Sequence, residues 1–143
     1  MTSVPPDRPG QIAGETGTQR LIGYVIDVGH GDGRARCWLD LGPQHLNRHG
    51  VLHGGIITML LDSASGATGS LTVDETGRAP FLTVSLATQF VAPVSAGRVT
   101  ATGTVTGGGR SLLHVAGELL DDRGRVIATG TGVFKRVPPE RLP

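Results

Sequence analysis

The sequence predicts an α+β domain in which a curved antiparallel sheet of about six strands wraps one central helix. Three observations carry this. One stretch, residues 56–71, spaces its apolar side chains as a helix does, with Ile56, Met59 and Leu60, then Ala67 and Leu71. Four β-rich segments follow it, at 80–92, 97–106, 110–120 and 125–136. Their three connections are short. Short connections make antiparallel neighbours, because a parallel pair needs a crossover of roughly a dozen residues or more.

Taken in order, residues 1–18 are rich in Pro, Gly and Thr with almost no apolar periodicity, and they read as a flexible N-terminal tail. Residues 21–29 are apolar and β-rich. Residues 33–41 alternate, with Ala35, Cys37, Leu39 and Leu41 on one face and Arg34, Arg36 and Asp40 mostly on the other. The turn signal His30-Gly31-Asp32-Gly33 joins the two as a hairpin. Residues 42–55 read as a loop. The helix after it is apolar at first and then almost all Ser, Ala, Gly and Thr. Each Gly costs about 1 kcal/mol against Ala in a helix interior, so tertiary contacts must hold this one. Its small residues also permit close approach of a sheet. Pro93 and Gly97 bracket the first β connection, Gly107-Gly108-Gly109 form the second and Asp121-Asp122-Arg123-Gly124 the third. The domain spans 19–137, and 138–143 form a C-terminal tail.

Composition narrows the function classes. A chain of 143 residues is one domain by size. Only 3% of residues are aromatic, so aliphatic side chains and alanine must build the core. A net charge of +1 gives no reason to expect nucleic acid or a membrane surface as partner. The one cysteine, Cys37, can form no intrachain disulfide and fits a reducing, cytoplasmic setting. No apolar run approaches the roughly 18–20 residues of a membrane span, and the N-terminus does not read as a secretory signal.

The chemistry concentrates at the junction of loop and helix: Asn47, Gly50, His53-Gly54-Gly55, and then Asp62 seven residues further on. Two glycines at a helix start let backbone approach a ligand with no Cβ in the way. The first N–H groups of a helix lack intrahelical partners and sit at the positive end of its dipole. Such donors suit a carbonyl oxygen that becomes anionic in a transition state. Asp62 stands in an otherwise apolar helix, where a carboxylate needs a partner or a pocket. An asparagine amide can donate or accept, so Asn47 can orient a carbonyl or a water, or simply shape the loop. His45, His49 and His53 are spaced four apart and would align as metal ligands on a helix. Pro43 and Gly50 flank or interrupt that stretch and no fourth ligand is patterned with them, so no metal and no cofactor are expected.

This run resembles the N-x(2)-G-x(2)-H-G-G-x(6)-D signature of the hot-dog-fold thioesterases of the phenylacetate-pathway type. These are similar to the 4-hydroxybenzoyl-CoA thioesterases that carry the acid on the central helix. The resemblance covers roughly residues 19–137 and includes Phe90-Val91-Ala92-Pro93 and Gly109-Arg110-Ser111-Leu112. It implies hydrolysis of acyl-CoA thioesters carrying small aryl or short- to medium-chain groups. The Gly54 N–H would polarise the carbonyl, Asp62 would act as general base or nucleophile, and Asn47 and Thr83 would position the reactants. From the residues themselves, His53 can bond backbone near the helix start and brace the site, Gly55, Ser63 and Gly66 are candidates to lie against substrate, and Arg110 either meets a CoA phosphate or stands as a solvated turn arginine. Arg48, Lys135 and Arg136 are vaguer candidates for that contact. The resemblance also implies a homodimer, with further pairing into a homotetramer usual. Two other readings stand beside it: a non-catalytic hot-dog module that senses acyl-CoA, and a hot-dog dehydratase, which places its Asp/His pair elsewhere.

Overall fold

A computed structural model describes residues 9–143. The elements run β1 (Gln11–Ala13), α1 (Gly17–Ile22), β2 (Val25–Asp27), β3 (Arg36–Asp40), α2 (Gly54–Leu71), β4 (Phe81–Phe90), β5 (Arg98–Gly108), β6 (Leu112–Leu120) and β7 (Val126–Arg136). Single 3₁₀ turns cover Pro43–His45 and Pro139–Arg141, the second of them inside the expected C-terminal tail. The strands form one sheet in the order β1-β2-β3-β5-β6-β7-β4, every adjacent pair antiparallel. Helix α2 packs against every strand from β2 to β7, so the predicted sheet around one helix is present. Among the described residues no helix is long and apolar enough to cross a membrane.

Three expectations need correction. The first concerns the tail. Residues 1–8 lie outside the described residues, but 11–13 pair with β2 and 17–22 are helical. The sequence did carry a signal, Thr16-x-x-Gln19, which is a capping-box spacing. Thr16 Oγ accepts from the Gln19 N–H at 3.1 Å. The buried Gln19 amide donates to the Ile12 carbonyl at 3.0 Å, tying helix to strand. Helix α1 also takes Leu21 and Ile22 from the expected first strand, and ends at Gly23 in the left-handed region (φ 92°). Second, β1 makes the described sheet seven-stranded instead of about six. Third, β4 and β5 are not neighbours despite their short link, because β6 and β7 lie between them. Seven extended residues reach about 23 Å, ample for three strand spacings of about 4.8 Å each. The link 91–97 spends its hydrogen bonds on other elements as it crosses. Val91 and Ala92 donate to the Ile127 carbonyl, Val94 accepts from Leu52, and Gly97 accepts from Leu41.

The core lies between α2 and the sheet. Ile57, Leu60, Leu61 and Ala64 pack on Cys37, Leu39, Val99, Ala101, Leu119 and Ile127, all buried. The weak second half of α2 is held as its composition requires, by close contact. A Cβ on Gly103 of β5 would lie 3.0 Å from the Ala64 carbonyl and 3.1 Å from Ser65 Cα. The Thr68 hydroxyl donates to the Ala64 carbonyl at 2.7 Å and accepts from the Ala35 N–H at 3.0 Å, joining helix to sheet. Burial pushes the Cys37 thiol far above its ordinary range, so it remains protonated and serves as a small apolar core residue.

Strand β4 positions the site. Its pairing with β7 shifts between Thr83 and Ser85, a β-bulge. Before the bulge the odd residues meet α2: Phe81 packs beside Gly69 and Thr83 beside Asp62. After it the even residues do so, with Leu86 beside Leu61 and Phe90 beside Gly54. A bulge that re-aims side chains this way lets one strand serve both ends of the helix. β4 is also a sheet edge, and it exposes Leu82 (52%), Val84 (60%) and Phe90 (60%).

Candidate active site

The loop before α2 is shaped by Asn47. Its side-chain oxygen accepts from the His49 N–H at 2.9 Å and the Val51 N–H at 3.3 Å. Its backbone N–H donates to the Val51 carbonyl at 2.8 Å, and Gly50 follows at φ +76°. The Asn47 side-chain oxygen is thereby committed to the loop, and the side-chain NH₂ remains as a donor. Of the two jobs open from sequence, this favours donation to a carbonyl over acceptance from a water.

At the helix start the two glycines differ. His53 is the N-cap, and its Nδ1 accepts from the Gly55 N–H at 2.8 Å. Ile56 and Ile57 both donate to the His53 carbonyl at 3.0 Å. Of the opening N–H groups, that of Gly54 has no partner among the described residues. Its lack of a side chain matters too, because a Cβ there would lie 3.2 Å from the Phe90 ring. Gly55 has already given its N–H to His53, so it can offer substrate only its bare Cα.

Asp62 sits two turns further along α2, partly exposed. Its Oδ1 accepts from the Thr83 hydroxyl at 2.5 Å, which supplies the partner that a mid-helix acid requires. Its second oxygen has no hydrogen-bond partner among the described residues. Ser63 lies near the Tyr24 phenol, which burial pushes above its ordinary range. One turn on from Asp62, Gly66 leaves open space: a Cβ there would meet nothing within 4 Å. The three evenly spaced histidines do not converge. His45 is buried, His49 and His53 are exposed, and no described group of His, Cys, Asp and Glu could hold a metal ion.

Arg110 lies elsewhere, in the turn between β5 and β6. It lines a cleft of about 630 Å³ with Arg78, Ser111, Arg136 and Pro80. Arg78 is tied to Glu15 by two bonds of 2.6 and 2.8 Å, and that guanidinium holds the Glu15 carboxyl below its usual range. Among the described residues no ion pair holds Arg110 or Arg136. Arg48 and Lys135 are exposed on other parts of the surface. Sequence reasoning had given no role to Tyr24 or to the Phe90 ring over Gly54. An aromatic opposite a helix-start glycine leaves no mark in local spacing.

A family model described as "Thioesterase superfamily" matches residues 49–128. Acyl-coenzyme A thioesterase 13 of Homo sapiens is 29% identical over 114 residues, covering 78% of this chain and 79% of that protein. Among solved structures, a conserved protein from Pseudomonas aeruginosa superposes with a TM-score of 0.76 at 27% identity, over 92% of this chain and 100% of that one. The PaaI protein of E. coli, from the phenylacetic acid degradation operon, gives a TM-score of 0.71 at 20% identity, over 87% and 86%. That last likeness is one of fold, the hot-dog fold.

Proposed function

The chain belongs to the thioesterase superfamily, and we propose that it hydrolyses acyl-CoA thioesters of small aryl or short- to medium-chain acids through a site shared by two subunits. The relative named an acyl-coenzyme A thioesterase supports the CoA thioester as substrate class. The unbonded Gly54 N–H supports its role as oxyanion donor, with the Asn47 NH₂ as a second donor to the same carbonyl. Asp62, oriented by Thr83, takes a proton from water as the hydroxide adds to the thioester carbon. Collapse of that adduct breaks the C–S bond, and the CoA thiolate leaves and is protonated. Asp62 can alternatively add to the carbonyl itself, releasing the thiolate and forming an anhydride that water opens.

One observation carries the shared site. Gly54 and Asp62 are eight residues apart on a single helix, about 12 Å along its axis. Base and oxyanion donor must both lie within about 3 Å of the atoms they serve. That separation weighs against a Gly54 and an Asp62 of the same chain flanking one thioester, and supports a site built from two chains. A two-fold partner with its helix antiparallel would bring the Gly54 of one subunit to the Asp62 of the other. The exposed apolar edge of β4 is suited to that pairing. The proposed assembly is a homodimer, two of which pair into a homotetramer.

The direct test is free-thiol release from purified protein offered aryl, short-, medium- and long-chain acyl-CoAs. Turnover of the aryl or shorter members is expected. Measurable binding with no turnover across the panel would establish the acyl-CoA sensor in its place. Arg110 gives a second expected result. With Arg110 and Arg136 holding CoA phosphates, Arg110→Ala should raise KM for acyl-CoA by about tenfold, the loss of one charge-assisted contact. The same acyl group on N-acetylcysteamine, which lacks the phosphates, should show no change in KM. An equal effect on both substrates would remove Arg110 from the phosphate site.

A further inference from the structure

We propose that His45 is a positioning residue of this reaction, a buried imidazole whose bonds hold the Asn47 loop against the start of α2. The proposal rests on the reading that Asn47 and Gly54 serve the thioester carbonyl. His45 is 2% exposed, at the end of the Pro43–His45 turn. Its Nδ1 accepts from the Gly42 N–H at 3.0 Å. Nε2 must then carry the proton, and it donates to the Ile22 carbonyl at the end of α1 at 2.7 Å. The His45 backbone carbonyl accepts from the His53 N–H at 2.9 Å. One residue thus joins three elements: the end of α1, the loop that places Asn47 two positions on, and the cap whose next amide is the open Gly54 donor.

The full chain is tested as His45→Ala, His45→Gln and His45→Asn. Glutamine keeps a donor toward Ile22, asparagine keeps an acceptor for Gly42, and neither titrates. His45→Ala should lower kcat by about tenfold or more with KM within about twofold, because geometry at the carbonyl is lost while phosphate binding is not. His45→Gln or His45→Asn should recover part of kcat with KM unchanged. A second readout needs no activity: protection of the His53 amide from hydrogen exchange should fall in His45→Ala and return in part in His45→Gln or His45→Asn. Wild-type kcat per folded molecule in His45→Ala, no recovery of kcat in either amide variant, or full protection of the His53 amide in His45→Ala would overturn the proposal. If no acyl-CoA is turned over at all, the functional reading fails, and the amide measurement still decides whether His45 holds the cap.

Discussion

Asp62→Asn is expected to fold as the parent does and to lose about 100-fold or more of kcat on any acyl-CoA that the wild type hydrolyses. The structure separates the two halves of that expectation. Asp62 is partly exposed and makes no ion pair among the described residues, so removing its charge breaks no buried salt bridge. The Thr83 hydroxyl can donate to the oxygen of the substituted amide as it does to the carboxylate. The melting temperature should therefore stay within a few degrees. An amide cannot take a proton from water or form an anhydride, so both proposed routes stop. Retention of more than about a tenth of wild-type kcat would reject either role for Asp62. A single turnover of wild type in ¹⁸O water then separates the routes. Water that opens an anhydride at the aspartyl carbon leaves label in Asp62, whereas general-base attack puts it in the released acid alone.

How far the sequence disclosed this site depends on whether each contact is local. The N-cap role of His53 and the loop-forming role of Asn47 involve partners two to four residues away, and residue type with spacing was enough to raise both. The helix and the four strands after it were legible for the same reason, since periodicity is a local property. Thr83 was a weaker inference because its partner is 21 residues distant and a bulge aims it there. Nothing in a run of ten β-rich residues announces a bulge. The placement of β4 at the sheet edge was beyond local reading too: the link over residues 91–97 allows a hairpin or a crossing equally well. The small residues of α2 were read as a sign of close approach, and Gly103 and Gly117 of the sheet supply it. The N-terminal segment was misread because polar composition outweighed one capping signal. Thr16-x-x-Gln19 was there to be found, and the amide of Gln19 is what anchors the segment.

Two inactive variants should restore activity when their subunits mix. One is Asp62→Asn, lacking the base. The other is Asn47→Ala combined with Gly54→Pro, lacking the carbonyl donors. Proline suits that place for stated reasons. It is well tolerated at the first helical position, where its missing N–H leaves no intrahelical bond unmade. It also restricts the residue before it to extended backbone, and His53 already lies there at φ −61° and ψ 132°. The Phe90 ring, close to Gly54 but 60% exposed, is free to swing aside. Each variant alone should be nearly inactive. With complete exchange of equal amounts, half the dimers are mixed, and each mixed dimer has one site built from two intact halves, so about a quarter of wild-type activity should return. If Gly54 and Asp62 of one chain served the same thioester, no mixture would exceed its components, since every chain lacks one half of its own site. The separation of about 12 Å along the helix weighs against that alternative, and the mixing experiment decides it. A shared site also requires that the monomer be inactive. A monomeric mass by light scattering at micromolar concentration, together with full activity, would sink the shared site whatever the mixing experiment returned.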